Sequence, residues 1–428
     1  MIKHIFTNSA GILVSRILGF IRDLFTASIL GANIYSDIFF VAFKLPNLFR
    51  RIFAEGAFAQ AFIPAYSISN KKVQFSSVLF LQFLVFIVGL SLAVTLFASF
   101  ITKAIALGLN SNSINLASPL VAICFYYLPL IFIVTFLASL LQYKDHFATT
   151  AFSTALLNIS LILSLLISQN LEKYEIVYYL SWAVIVGGLL QVAVHIVAIK
   201  KLKIKFLTSQ IKRSKESFKN SKFYNQFYLA VFGSSSVHIA SFLDTWLASF
   251  LVSGSISYLY YANRVFQLPL ALFAIATSVA LFPTIAKAIK NNDERKALNI
   301  LKRTSFILIG LLGFATLVGI AFNDFIIQLL FQRGSFGIDD AQNTSAILAV
   351  YLIGLIPFGL AKIFSLWLYA HSRQGRAAKI TAISLVWNII LSLLFVAPFG
   401  VIGLALASSL SGFILLYLTF KEINFLIN

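Results

Sequence analysis

VSRILGFIRDLFTASILGANIYSDIFFVAFKLPNLFRRIFAEGAFAQAFIP, running from Val14 to Pro64, sets Arg16, Arg22, Asp23, Asp37, Lys44, Arg50, Arg51 and Glu55 among Leu, Ile, Phe and Ala. The segments that carry them are long enough to cross a bilayer. A charge at the bilayer centre costs about 3 kcal/mol even on the lenient insertion scale, so eight charges facing lipid would together cost roughly 20 kcal/mol or more. They must face something wet. Five of the eight are cations, a lining that suits a cavity holding an anion.

The rest of the chain agrees with a membrane setting. Of 428 residues, 60% are hydrophobic and 11% charged, and the mean hydropathy is +0.92. These values belong to the polytopic membrane class, and at about 20 residues per span they leave no room for a soluble catalytic domain. The N-terminal MIKHIFTNSAGILVSR is interrupted by Arg16 and lacks a small-residue cleavage site, so it reads as the start of the first helix and not as a removable signal. The single cysteine, Cys124, lies in an apolar run, which excludes a disulfide framework and a cysteine metal site.

Twelve apolar spans follow in order: 5–30, 35–66, 78–101, 119–142, 149–168, 177–199, 223–252, 256–286, 304–322, 343–370, 380–397 and 401–420. The net charge of +19 could suggest nucleic acid, but its distribution argues against that partner. Almost all Lys and Arg outside the spans lie at the termini and in alternate connections, and the other connections hold only Lys103, Lys173 and Arg333. The positive-inside rule then places both termini in the cytoplasm. The segment KKLKIKFLTSQIKRSKESFKNSK, 200–222, carries nine cations against Glu216 and reads as an amphipathic linker on the anionic leaflet.

That linker separates an N-terminal bundle, 1–199, from a C-terminal bundle, 223–428, and the halves read as repeats. Asp23 is followed by LFTASIL and then by Pro46 in FKLP; Asp244 is followed by TWLASFL and then by Pro269 in FQLP. SLLQY precedes Asn158 as SLWLY precedes Asn388. The fold expected is all-α and polytopic, with two six-helix bundles related by an internal repeat about a V-shaped central cavity, the arrangement of a transporter that rocks around a central site.

Within the first bundle, Gly11, Ser15 and Gly19 make a small-residue stripe that admits a close helix neighbour. Pro46 should kink the second span. Arg22 and Asp23 read either as cavity lining or as a helix end snorkelling to the outer interface. Arg51 and Glu55, at i and i+4, form either a structural ion pair or part of a gate, and Asp37 and Lys44 share a face at a spacing of seven. Asn158 and His195 are lone polar groups on apolar helices and read as packing contacts. In FQRGSF, Gly334 and Gly337 read as turn residues.

No HExxH, GxSxG, P-loop or paired-acid motif occurs, so no enzyme is expected, and the absence of a Walker A sequence excludes an ATP-driven step. Work done by such a chain would draw on membrane potential or an ion gradient. The candidate substrate site is cationic: Arg16, Arg22, Arg50 and Arg264 first, Lys44 and Arg51 as the next candidates, and Asp23, Asp37 and Glu55 as gating or ion-pair partners. Arginine presents a planar fork that meets phosphate oxygens bidentately, and a diphosphate needs several such partners.

SRILGFIRD (Ser15 to Asp23), the Ser36 to Pro64 stretch and ASFLVSGSISYLYYANRVFQLP (Ala248 to Pro269) together resemble the MurJ/MviN family of lipid II flippases. The resemblance implies lipid II as partner, along with membrane lipids. It further implies movement of that undecaprenyl-diphosphate-linked precursor from the cytoplasmic to the outer leaflet of the bacterial inner membrane by alternating access, and a monomer without cofactor. It maps the family's cavity arginines onto Arg16, Arg22, Arg50 and Arg264, and a sodium site onto Asp244, Asn388, Ser392 and Ser408. Two departures stand out: Asn263 replaces an acid usual before Arg264, and twelve spans are read here where fourteen are common. The readings left open are a polysaccharide-lipid flippase, a multidrug antiporter of the same superfamily, whose mostly cationic substrates the arginines would repel, and a non-transporting scaffold. For Asp244 the alternative is a protonated or Asn-paired structural acid.

Overall fold

The structure is a computed structural model and describes residues 2–50, 57–207 and 221–427. In the first part of the chain the helices are α1 (Ile2–Leu30), α2 (Ile34–Phe49), α3 (Ala57–Ile68), α4 (Lys72–Leu96), α5 (Ala98–Ile105), α6 (Ser111–Phe125), α7 (Tyr127–Tyr143), α8 (Ala148–Ser168) and α9 (Lys173–Lys201). There follow α10 (Ser221–Ala248), α11 (Ser255–Pro269), α12 (Ala276–Lys290), α13 (Glu294–Ala321), α14 (Asn323–Phe331), α15 (Ile338–Ile353), α16 (Leu355–Ala370) and α17 (Gln374–Ile427). No strand occurs among the described residues. Among them, seven helical stretches are long and apolar enough to cross a membrane, and α15 with α16, bent by 41°, form an eighth as a broken span. The chain is a multi-pass, all-helical membrane protein.

The described residues of the twelve predicted spans lie mostly on helix, and the structure adds breaks that hydropathy could not show. The spans at 78–101, 119–142, 256–286 and 343–370 are each divided between two helices. Between α11 and α12 the cause is local: Pro269 has no N–H to give the preceding turn, and the backbone passes through a π-helical stretch, Leu270–Ile275, before α-helix resumes. The last two spans are the arms of α17. They meet at Gly400, whose φ of +55° and ψ of −130° suit a residue without Cβ. The arms then run back on one another, and the Ser384 hydroxyl donates to the Ser411 carbonyl across them at 2.8 Å.

By its contacts the chain forms two compact units, Met1–His238 and Ile239–Asn428. The first extends beyond the basic segment because Phe223 and Phe227, stacked at 5.9 Å, pack edge-on to Phe83 and Phe58. Lipid is as apolar as leucine, so such packing holds helices together through dispersion and shape and not through exclusion of water. Interhelical hydrogen bonds add to it: Tyr127 donates to Gln191 Oε1 and Gln191 Nε2 to the Ser153 carbonyl, both at 3.1 Å. The small-residue stripe acts as its composition predicts. A Cβ on Gly11 would sit 2.6 Å from Ala151 Cβ and 2.8 Å from the Ala151 backbone, so α1 and α8 pack backbone to backbone.

In the second unit Trp367, Tyr261, Phe331 and Phe336 are fully buried. Tyr261 packs on Phe331 and Phe336 at 5.2 and 5.5 Å. The FQRGSF turn carries two of these three rings, with Gly334 at φ +58° and Gly337 extended as the N-cap of α15.

Candidate functional site

The candidate residues of the first unit are placed by the turn that joins α1 to α2. Gly31, at φ +76°, ends α1, and Asn33 caps α2 by accepting from Tyr35 N at 2.9 Å while Ser36 Oγ accepts from Asn33 N at 2.9 Å. A reciprocal cap of this kind is worth about 1 kcal/mol. It sets Asp37 in the first turn of α2, 3% exposed, where the positive end of the helix dipole favours a carboxylate. At the other side of the turn the Lys173 ammonium donates to the Leu30 carbonyl at 3.3 Å, a cation on the negative end of α1.

Two turns of α1 before that end stands the best-defined polar cluster of the candidate set. Arg22 donates through Nε and Nη2 to Asp23 Oδ1, at 3.0 and 2.6 Å. The Arg22 side chain is 15% exposed and that of Asp23 1%. The same guanidinium reaches across to α8 and donates from Nη1 to Asn158 Oδ1 at 3.1 Å. Asn158 in turn donates from Nδ2 to the Ser15 carbonyl at 3.1 Å. Arg22 and Asp23 are therefore a buried, cross-braced ion pair. Asn158 belongs to this cluster and is more than a packing contact. Only its place in the repeat marked it in the sequence.

The other candidates of this unit differ in surroundings. Arg16 is exposed, on a stretch of α1 that also exposes Leu13, Val14 and Ile17. Lys44 is half-buried on α2. Arg50, also half-buried, donates from Nε to Asn47 Oδ1 at 3.0 Å and borders a small apolar cleft walled by Phe58, Phe83, Phe132 and Phe227. Arg51 and Glu55 lie outside the described residues. His195 donates from Nδ1 to the Gln191 carbonyl at 2.8 Å, as a packing contact should.

In the second unit Arg264 is half-buried on α11, and the neighbouring Asn263 accepts from Gln267 Nε2, so the amide that stands in for an acid is engaged along its own helix. Asp244 is half-buried near the end of α10. Asn388 and Ser392, one turn apart on the first arm of α17, are 5% and 1% exposed, and Ser408 lies on the second arm. The Ser392 hydroxyl is buried with no hydrogen-bond partner among the described residues. An orphaned hydroxyl beside a buried amide is the kind of oxygen set a hard cation takes. Among the described residues no three of His, Cys, Asp and Glu come together, so no transition-metal centre is assembled.

Long apolar helices that bury a braced ion pair make the chain a polytopic membrane protein by class. The fold is that of a solved inward-facing multidrug resistance MATE family transporter of the MOP superfamily, with a TM-score of 0.79 over 96% of this chain and 94% of that one at 11% identity. A family model described as lipid II flippase MurJ matches residues 26–424, and the chain belongs to that family. A relative from Helicobacter pylori (strain ATCC 700392 / 26695), named "Probable lipid II flippase MurJ", is 49% identical over 413 residues, which is 93% of this chain and 90% of the relative. One of the same name from Buchnera aphidicola subsp. Baizongia pistaciae is 31% identical over 435 residues, covering 99% and 83%. A solved lipid II flippase MurJ in an inward closed conformation superposes with a TM-score of 0.84 over 97% of this chain and 87% of that one, at 27% identity.

Proposed function

We propose that the chain flips lipid II from the cytoplasmic to the outer leaflet of a bacterial inner membrane by alternating access, as a monomer with both termini in the cytoplasm, and that it is not an enzyme. The observation that carries the reading, given the family, is Arg22. Its guanidinium is held at a buried position by Asp23 and Asn158, a pre-oriented cation that can meet a diphosphate without first being ordered. Arg16, Arg50 and Arg264 are the further candidates for phosphate contact, and Lys44 and Arg51 rank after them. Asp23, Asp37 and Glu55 serve in gating or as ion-pair partners. The energy comes from the membrane potential or an ion gradient.

The repeat supports sodium as the coupling ion. Asp23 and Asn158 of the first half correspond to Asp244 and Asn388 of the second, and in the first half this acid and amide grip the Arg22 guanidinium. In the second half the residue before the acid is Leu243 where the first half has Arg22, and Asp244, Asn388, Ser392 and Ser408 would supply oxygens to a sodium ion. A multidrug antiporter fits less well, because its mostly cationic substrates would meet these arginines. The test is reconstitution of the full chain in liposomes carrying labelled lipid II. Protein-dependent appearance of the label on the opposite leaflet is expected, and label confined to its starting leaflet contradicts the proposal.

A further inference from the structure

We propose that Asn158, on α8, is the positioning residue for Arg22: it fixes the angle at which the guanidinium is presented to an anionic diphosphate headgroup. The inference rests on the reading of Arg22 as a diphosphate contact. Three observations carry it. First, Asn158 is 8% exposed and its two polar ends are both committed, Oδ1 to Arg22 Nη1 and Nδ2 to the Ser15 carbonyl, each at 3.1 Å. The donor and acceptor on either side leave one orientation for the amide. Second, the Ser15 carbonyl belongs to α1, the helix that carries Arg22, so the amide measures one point of α1 against another from α8. Third, α8 cannot drift from α1 without opening the backbone contact between Gly11 and Ala151.

Asp23 cannot do this alone. It neighbours Arg22 in sequence and takes only the Nε and Nη2 side of the fork, through a single oxygen. A guanidinium held on one side can swing about that oxygen; a second contact at Nη1, from another helix, removes the swing. Arginine owes its advantage over lysine at phosphate to a fork with fixed direction, so the residue that fixes the direction sets how much of the advantage is realised.

The experiment measures lipid II binding and thermal unfolding for the purified full chain in detergent. The variants are Asn158→Leu, Asn158→Asp, the charge-neutral Arg22→Met/Asp23→Asn pair, and that pair combined with Asn158→Leu. Leu has nearly the shape of Asn without its polar ends, and its loss of one bond to a charged group should weaken binding about three- to tenfold. In the Arg22→Met/Asp23→Asn background the same substitution should weaken it no further, because the group it acts through is gone. Asn158→Asp should bind more weakly than Asn158→Leu, since a second carboxylate on the guanidinium competes with phosphate; a residue that only fills space predicts the reverse order. The proposal is overturned by binding at the wild-type level in Asn158→Leu while the charge-neutral pair is weakened, or by an equal loss from Asn158→Leu in both backgrounds. If the charge-neutral pair itself binds as wild type does, the reading of Arg22 as a diphosphate contact has failed, and this inference falls with it.

Discussion

Arg22→Ala should damage the fold as well as transport, and the structure gives the size of the effect. The substitution removes both bonds to Asp23 and the bond to Asn158, leaving a carboxylate that is 1% exposed without the guanidinium that held it. Removing one partner of a buried ion pair costs about 3–5 kcal/mol, most of it the burial of the remaining charge. Arg22→Met/Asp23→Asn removes that charge too and leaves lost hydrogen bonds worth about 1 kcal/mol each. The expected order of thermal unfolding midpoints in detergent is wild type, then the paired variant, then Arg22→Ala, and membrane abundance should follow it. Transport of labelled lipid II should be lost in both variants, because neither presents the fork. An Arg22→Ala chain that unfolds at the wild-type temperature, or a paired variant no more stable than the single one, would refute the account of Arg22 and Asp23 as a buried pair.

Arg16 makes the contrast. It is exposed, so Arg16→Ala should reach normal membrane abundance while weakening lipid II binding roughly tenfold to a hundredfold, and Arg16→Lys should fall short of wild type; normal transport in Arg16→Ala removes it from the site. At the turn of α17, a Cβ on Gly403 would lie 2.2 Å from the Phe395 carbonyl oxygen, so Gly403→Ala must part the two arms at a cost of about 1–3 kcal/mol. Gly400→Ala meets no atom but strains a backbone at φ +55° and ψ −130°, at a cost of about 1–3 kcal/mol, so both variants should lower the unfolding midpoint. Asp244→Asn should abolish any sodium dependence of transport in liposomes with an imposed gradient; unchanged sodium-dependent rates would remove the cation site. A reporter fused after Asn428 should be active only if its activity requires the cytoplasm.

Much of this was legible in the chain itself, because the membrane makes sequence unusually informative. A span must be apolar for about 20 residues, loops carry their positive charge on one side, and a charge within a span must have a reason to be there. Hydropathy and charge therefore determined the all-helical, multi-pass class and the candidate cations, and the recurrence of Asp23 and Pro46 as Asp244 and Pro269 suggested two halves of one design. The stripe of Gly11, Ser15 and Gly19 announced a close neighbour without naming it. The tertiary structure alone decided that the neighbour is α8, that Arg22 is braced while Arg16 is exposed, and that Asn158 completes the cluster. Composition could not separate the two arginines: both stand on one apolar helix, and what distinguishes them is a side chain 136 positions away that reaches only one of them. A hydrogen bond of 3.1 Å depends on the packing distance between two helices, which here is set by a glycine meeting an alanine backbone, and no property of either segment read separately contains that distance.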